Sequence, residues 1–114
     1  MSDRDNLLYL KDMLESIEAI QSFVTDMNFE SFISDRKTFS ATIRELEIIG
    51  EAAGRISTDI QQQYPYLPWR IMKDFRNVLA HHYFGINADI VWDVAIRKLP
   101  DIKSQLQTVL KKLS

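Results

Sequence analysis

The stretch that decides the fold is DRKTFSATIRELEIIGEAAGRI, which occupies residues 35–56. It contains no proline, and its apolar residues recur every three or four positions, the spacing that puts them on one face of an α-helix. Asp35 precedes the pattern and is a good N-cap, because its carboxylate can accept hydrogen bonds from the first backbone N–H groups. The stretch therefore predicts a long amphipathic helix whose inner face carries Phe39, Ile43, Leu46, Ile49 with Gly50, Ala53 and Ile56.

Small residues cluster in one turn of this helix, at Gly50, Ala52, Ala53 and Gly54. Glycine inside a helix costs about 1 kcal/mol relative to alanine, so the cluster predicts the close approach of another helix. The alternative for Gly54 is a simple weakening near the helix end.

Upstream, Ser2 can cap a first helix that extends to about residue 27. Its predicted apolar stripe is Leu7, Leu10, Leu14, Ile17, Phe23 with Val24, and Met27. Residues 28–34 predict a short helical turn before Asp35.

Downstream, the run 65–68 contains two prolines, and Pro68 suits the first position of a helix over residues 69–84, with Gly85 as its stop. Asn87 can cap a further helix with Ile90 or Val91 and Val94 facing inward. Leu99-Pro100 is expected to break or kink that helix. The last helix then carries Ile102, Leu106, Val109 with Leu110, and Leu113.

The composition predicts an all-α fold, because only three glycines and three prolines occur in 114 residues. With 46% hydrophobic residues, residues 1–114 are expected to form a single domain with one core. Four to five antiparallel helices in one bundle is the simplest architecture.

The charges and missing residue types exclude several classes of protein. Cysteine is absent, which excludes disulfides and thiolate metal sites, and the net charge of -2 argues against coating nucleic acid with a broad basic surface. An RNA contact would have to be local. The lack of a long apolar run and the charged N-terminus predict a cytoplasmic protein with no membrane segment.

Candidate chemistry centres on residues 76–83, Arg-Asn-Val-Leu-Ala-His-His-Tyr, which contain both histidines of the chain. On a regular helix Arg76 and His81 differ by about 140° in direction, whereas Arg76 and Tyr83 nearly share a side. A joint site thus requires a long reach by Arg76, a loosened helix, or a second subunit. The simpler alternative is that these cations only interact favourably with a helix C-terminus.

No metal site or cofactor is predicted. His81 and His82 are adjacent and point about 100° apart on a helix, so they do not chelate one ion. Neither a cysteine nucleophile nor a glycine-rich phosphate loop is present. Lys73 lies three residues before Arg76 and can widen a positive patch there, although solvated surface charge is the simpler alternative for both Lys73 and Arg70. Trp69 and Trp92 are expected to be packing anchors rather than base-stacking platforms.

A family resemblance adds to this reading of the residues. The segment Tyr64-Pro65-Tyr66-Leu67-Pro68-Trp69, the pattern Arg76-Asn77-x-x-x-His81-x-Tyr83, then Gly85 and Trp92, resemble the HepT-like branch of the HEPN superfamily. Leu46-Glu47-Ile48-Ile49-Gly50-Glu51-Ala52 is similar to the second helix of that branch. The resemblance covers most of the chain and implies an HEPN-like antiparallel bundle.

The resemblance implies a metal-independent endoribonuclease that acts as the toxin of a type VII-like toxin-antitoxin pair, with tRNA or mRNA as substrate. It further implies a homodimer with a shared cleft, and an MntA-type nucleotidyltransferase antitoxin that adenylylates Tyr83. The residue types suit this chemistry: His81 can serve as acid or base near neutral pH, and Arg76 can clamp phosphate oxygens. Asn77 is expected to order the motif and Lys73 to contact RNA, whereas Tyr83 could contact the RNA backbone or be a packing residue with an exposed hydroxyl.

Two other interpretations stay open. The chain could be a non-catalytic helical dimer module that binds a nucleotidyltransferase partner, or an HEPN domain that binds RNA or nucleotides without cleaving them. Loss of RNA cleavage in His81→Ala with retained dimerisation would favour the enzyme over both.

Overall fold

The computed structural model describes residues 3–74 and 87–114, and within these residues the regular structure is entirely helical. The all-α prediction is confirmed. In chain order the elements are α1 (Asp3–Val24), α2 (Phe29–Ser34), α3 (Arg36–Arg55), α4 (Thr58–Gln63), the helical residues 69–74 (α5), α6 (Ala88–Asp93), a π-helical segment (Val94–Lys98) and α7 (Leu99–Leu113).

Helix α3 begins where the sequence predicts. The Asp35 carboxylate accepts hydrogen bonds from the Thr38 backbone N–H at 3.1 Å and from the Thr38 hydroxyl at 2.8 Å. These bonds favour the charged form and hold the pKa of Asp35 below its usual value. The predicted inner-face residues are buried, apart from the half-buried Phe39.

Helix α1 is shorter than the sequence predicts. It ends at Val24, and Asp26 follows with a φ of 63°, a left-handed conformation that asparagine and aspartate tolerate better than most residues. Met27 therefore lies beyond the helix, although it packs against the core. The predicted cap at Ser2 lies outside the described residues.

The short helix α2 brings aromatic residues together. Asn28 and Ser31 form a reciprocal capping box, which fixes the start of α2. Phe32 is fully buried, and its ring centroid lies 5.0 Å from Trp92 and 5.6 Å from Phe39. Trp92 is thus a packing anchor that connects α6 to α2, as predicted.

Helix α4 has no counterpart in the sequence prediction. Its residues are TDIQQQ, and Ile60 is the only apolar residue among them and is 5% exposed. One apolar residue in six gives no periodicity, so propensity and pattern alone miss the helix.

The helix does not break at Leu99-Pro100, although a break was one of the two predicted outcomes; a kink there stays a prediction. The chain stays helical from Ala88 to Leu113, and the stretch before Pro100 widens into the π-helical segment, where the N–H of Leu99 donates to the carbonyl of Val94. Such a widened turn accommodates Pro100, which lacks a backbone donor and crowds the preceding turn. The predicted cap is confirmed, because the Asn87 side chain accepts from the N–H of Asp89 at 2.8 Å.

One cluster of buried apolar residues runs through all the described helices, and α1 packs mainly on α3 and α7. Lys103 near the start of α7 donates to the Gln21 side chain near the end of α1 at 3.2 Å, so these two helices are antiparallel. Among the described helices none combines the length and apolarity that crossing a membrane requires.

Candidate active site

Most of the predicted site lies outside the described residues. Arg76, Asn77, His81 and Tyr83 all belong to the range 75–86, as do the predicted helix end at Phe84 and the stop at Gly85. Their roles and their mutual geometry stay predictions. Lys73 is the predicted site residue that the structure places, together with the helix that leads into the motif.

The start of α5 is fixed by Trp69. Its side chain is 5% exposed, and its indole N–H donates to the carbonyl of Tyr64 at 2.9 Å. Pro68 immediately precedes the helical residues, and its missing N–H leaves no unsatisfied donor there. A buried tryptophan with a satisfied N–H is a packing anchor, as predicted.

Lys73 lies against the end of α3. A Cβ atom built at Gly54 would be 3.6 Å from Cδ and 3.7 Å from Cγ of Lys73, so the aliphatic stem of the lysine runs along the α3 backbone. These are ordinary van der Waals distances. The close approach expected at Gly54 therefore involves a flexible side chain, and Gly54 itself is exposed in the last turn of α3.

Surface ion pairs flank Lys73 on both helices. Arg70 pairs with Asp74 at 3.8 Å, with the arginine side chain 92% exposed, and Arg55 pairs with Glu51 at 3.6 Å. Pairs this exposed contribute little to stability. They do engage the two acids that lie nearest to Lys73 along these helices, and Arg70 is a solvated charge, as predicted.

An apolar groove lies beside α5. It has a volume of about 990 Å³ and is lined by side chains of α3, the turn before α5, α5, α6, the π-helical segment and α7. Three lining residues are large and exposed: Tyr66 by 49%, Ile71 by 65% and Ile90 by 57%. Both charge signs occur at its edge, in Asp74, Asp93, Arg97, Lys98 and Asp101.

Sequence reasoning missed this surface. Ile90 was one of two candidates for the inner face of α6, but Val91 is the buried residue at 1% exposure and Ile90 points outward. Ile96, in the π-helical segment, is likewise 40% exposed. The available signal was Ile71, which falls beside buried Met72 and therefore off the inner face that Trp69 and Met72 define on α5.

Within residues 3–74 and 87–114, no group of three or more His, Asp or Glu side chains is arranged to hold a metal ion. Both histidines lie outside these ranges, so the predicted metal-independence is left to experiment.

The described structure is a helical bundle in which Trp69 and α5 precede the Arg-x4-His pattern of residues 76–81 in the sequence. The chain belongs to the family described as Ribonuclease HepT-like, which matches residues 13–109. The matched region includes the whole stretch 76–83, and the predicted enzyme class, an endoribonuclease, is confirmed at the level of the family.

Individual relatives are similar in sequence to this chain along nearly its whole length. A protein of Methanocaldococcus jannaschii with an RNase name is 41% identical over 99% of this chain and 93% of its own length. The "Probable ribonuclease HepT" of Thermococcus cleftensis is 40% identical over 90% of this chain and 94% of its own. A further protein of Caldanaerobacter subterraneus, also with an RNase name, is 32% identical over 91% of this chain. No solved structure matches the chain.

Proposed function

We propose that this chain is a metal-independent endoribonuclease that acts in the cytoplasm as the toxin of a toxin-antitoxin pair. The observation that carries the proposal is the family match over residues 13–109, which spans Arg76 to Tyr83. The described helix α5 supports it, because Trp69 anchors the start of the segment that carries the motif.

His81 and Arg76 carry the chemistry in this proposal. Cleavage without a metal needs a base for the 2′-hydroxyl, an acid for the leaving oxygen and positive charge for the transition state. Imidazole in general titrates near neutrality, so His81 is the residue that supplies the acid or base, while Arg76 clamps two phosphate oxygens. Asn77 orders the motif, and Lys73 and Tyr83 contact the RNA, either tRNA or mRNA.

Two copies of the chain form the active unit, so that two motifs meet at one cleft. The apolar groove beside α5 supports this, since exposed isoleucines next to an apolar depression make a surface that is complementary to itself. Its edge carries both Lys98 and Asp101, so a twofold arrangement can pair opposite charges. With a net charge of -2, pairing two motifs also concentrates the cations that RNA requires.

Tyr83 is the regulatory residue in this proposal. An MntA-type nucleotidyltransferase antitoxin transfers an adenylyl group from ATP to the Tyr83 oxygen, with release of pyrophosphate. The added phosphodiester places negative charge and bulk in the cleft, which repels RNA and blocks its binding.

A growth experiment tests the cellular part of the proposal. Induced expression of the wild-type chain is expected to stop growth with fragmentation of cellular RNA, and His81→Ala is expected to permit growth at the same protein level. Co-expression with the nucleotidyltransferase should restore growth and add the mass of one adenylyl group to wild type but not to Tyr83→Phe. Normal growth with intact RNA at high wild-type expression, with Tyr83 unmodified, would contradict the toxin role and favour a partner-binding module.

We also propose that residues 1–114 form a single domain. The described buried apolar residues support this, because they belong to one continuous cluster that includes α1 and α7.

A further inference from the structure

Gly54 occupies a position in α3 where most side chains would touch α5. The two residues before it, Ala52 and Ala53, face the core with 5% and 0% exposure, while Gly54 lies beneath the stem of Lys73. The missing side chain leaves a shallow depression on the surface of α3. Cγ and Cδ of Lys73 lie in that depression, at 3.7 and 3.6 Å from the position that a Cβ of residue 54 would occupy.

Packing of its aliphatic stem against α3 restricts the rotamers that Lys73 can adopt. A solvated lysine samples many rotamers, and it loses that freedom when its ammonium group binds a phosphate. Lys73 is half-buried, so part of this loss has already occurred in the free protein. A cation organised in this way binds an anion more tightly than a mobile one does.

The charge of Lys73 is also available. Glu51 on α3 is engaged by Arg55 at 3.6 Å, and Asp74 on α5 is engaged by Arg70 at 3.8 Å. Within the part of the chain that the structure describes, no acid forms an ion pair with Lys73. Its ammonium group is therefore free to contact an anionic ligand.

From these contacts we infer that Gly54 is a positioning residue, whose missing side chain lets Lys73 lie along α3 and present its ammonium group to an RNA phosphate. Lys73 precedes Arg76 by three residues, which on a helix is the same side. The role of Gly54 rests on the proposed ribonuclease function, since RNA is the ligand in both. It adds a residue of α3 to the surface that binds substrate.

Two substitutions at Gly54 distinguish an effect on the position of Lys73 from an effect on the stability of α3. Alanine and leucine both have high helix propensity, so neither weakens α3. A Cβ alone makes ordinary contact with Lys73. The longer, branched side chain of leucine is expected to compete with the aliphatic stem of Lys73 for the space above residue 54. Gly54→Ala is thus the matched control for Gly54→Leu.

The test measures binding of a fluorescent single-stranded oligouridylate to homogeneous protein across a range of KCl concentrations. All variants carry His81→Ala, so that the RNA stays intact. The set comprises the background protein, Lys73→Gln, Gly54→Ala, Gly54→Leu and the double variant. Lys37→Gln removes the same charge about 25 Å away at the other end of α3 and serves as the charge control.

Lys73→Gln is expected to reduce the slope of log affinity against log salt by about 0.7, which corresponds to about fivefold weaker binding at 0.1 M salt. Gly54→Leu is expected to weaken binding in the same direction, and the double variant to bind no more weakly than Lys73→Gln, because both changes remove one contact. Lys37→Gln should bind like the background protein, and Gly54→Ala should lose less affinity than Gly54→Leu, because its Cβ only touches the Lys73 stem.

Background-like binding by Gly54→Leu, with a clear loss in Lys73→Gln, would overturn the positioning role. Unchanged binding by Lys73→Gln would overturn it as well. Cleavage by the otherwise wild-type chain, measured in parallel, distinguishes these failures from failure of the ribonuclease function itself. Absence of both cleavage and binding would overturn the two together.

Discussion

Asn6 and Ser57 lie 51 positions apart and exchange two hydrogen bonds. The side-chain N–H of Asn6 donates to the Ser57 hydroxyl at 3.1 Å, and the backbone N–H of Ser57 donates to the side-chain oxygen of Asn6 at 3.0 Å. Asn6 is 2% exposed, so water does not replace these partners easily. The pair holds the beginning of α1 to the turn between α3 and α4, and it explains why the Ser57 hydroxyl makes no cap bond to α4.

Asn6→Ala is expected to lower the free energy of unfolding by about 1–3 kcal/mol, because it leaves a partly buried N–H of Ser57 without its acceptor. Ser57→Ala keeps that N–H bonded but leaves the side-chain N–H of Asn6 without its acceptor, so it should also lower the free energy of unfolding. Urea unfolding followed by circular dichroism measures both. Equal stabilities of Asn6→Ala and wild type would show that the pair does not hold α1 in place.

Gly54→Ala is expected to raise the free energy of unfolding by about 0.5–1 kcal/mol, since alanine is the better helix former and its Cβ only touches Lys73. A gain of this size raises the melting temperature by a few degrees in a domain of about 100 residues. Thermal unfolding measures it. Destabilisation by alanine would mean that the Lys73 stem has no room to adjust.

The Asp35 cap gives stability a predictable dependence on pH. Hydrogen bonds from Thr38 lower the folded-state pKa below the usual value of 3.8, so the unfolded chain binds the proton more readily. The contribution is complete well above pH 3.8 and is lost as pH falls through the lowered pKa. Asp35→Asn keeps a capping oxygen without this titration.

Unfolding of wild type and Asp35→Asn in urea, compared from pH 6 to pH 2.5, checks the sign. The stability of wild type relative to Asp35→Asn should fall as the pH is lowered. A constant difference over the whole range would contradict the role of the charged carboxylate.

The groove predicts which substitutions separate two copies. Ile71→Glu and Ile90→Glu place a charge on the proposed contact surface and are expected to weaken dimerisation roughly tenfold or more, because an unpaired charge is costly to bury. The fold should persist, as both side chains are already exposed. Leu8→Glu and Ile33→Glu are matched controls, at 51% and 47% exposure and away from the groove.

Sedimentation velocity over a range of concentrations measures the association. The two groove variants should sediment as monomers and lose RNA cleavage, whereas the controls should behave like wild type. Dimers of normal affinity in both groove variants would place the contact on another surface.

Sequence patterns predicted the parts of this fold that depend on local chemistry. Asp35 and Asn87 are short polar residues before apolar periodicities, and both cap helices as expected. Pattern failed at α4, where tertiary contacts of Ile60 replace periodicity, and it left break and kink open at Pro100, where the helix widens and does not stop.

The candidate site likewise has a part that sequence patterns predicted and a part that depends on tertiary packing. Motif spacing singled out Arg76 and His81, but it carries no information about the surface of α3 beneath Lys73, which follows from how two helices lie against each other. The exposure of Ile71 and Ile90 likewise depends on tertiary packing rather than on the order of residues along one helix.

The central claim, RNA cleavage by Arg76 and His81, is tested most directly with purified protein and total cellular RNA in excess EDTA. Wild type, Arg76→Ala, His81→Ala and Tyr83→Phe are compared after mass spectrometry has established that Tyr83 is unmodified. The account predicts that wild type cleaves in EDTA and that Arg76→Ala and His81→Ala do not, with their helical content unchanged. Intact RNA after incubation with the wild-type chain, or equal cleavage by His81→Ala, would contradict it.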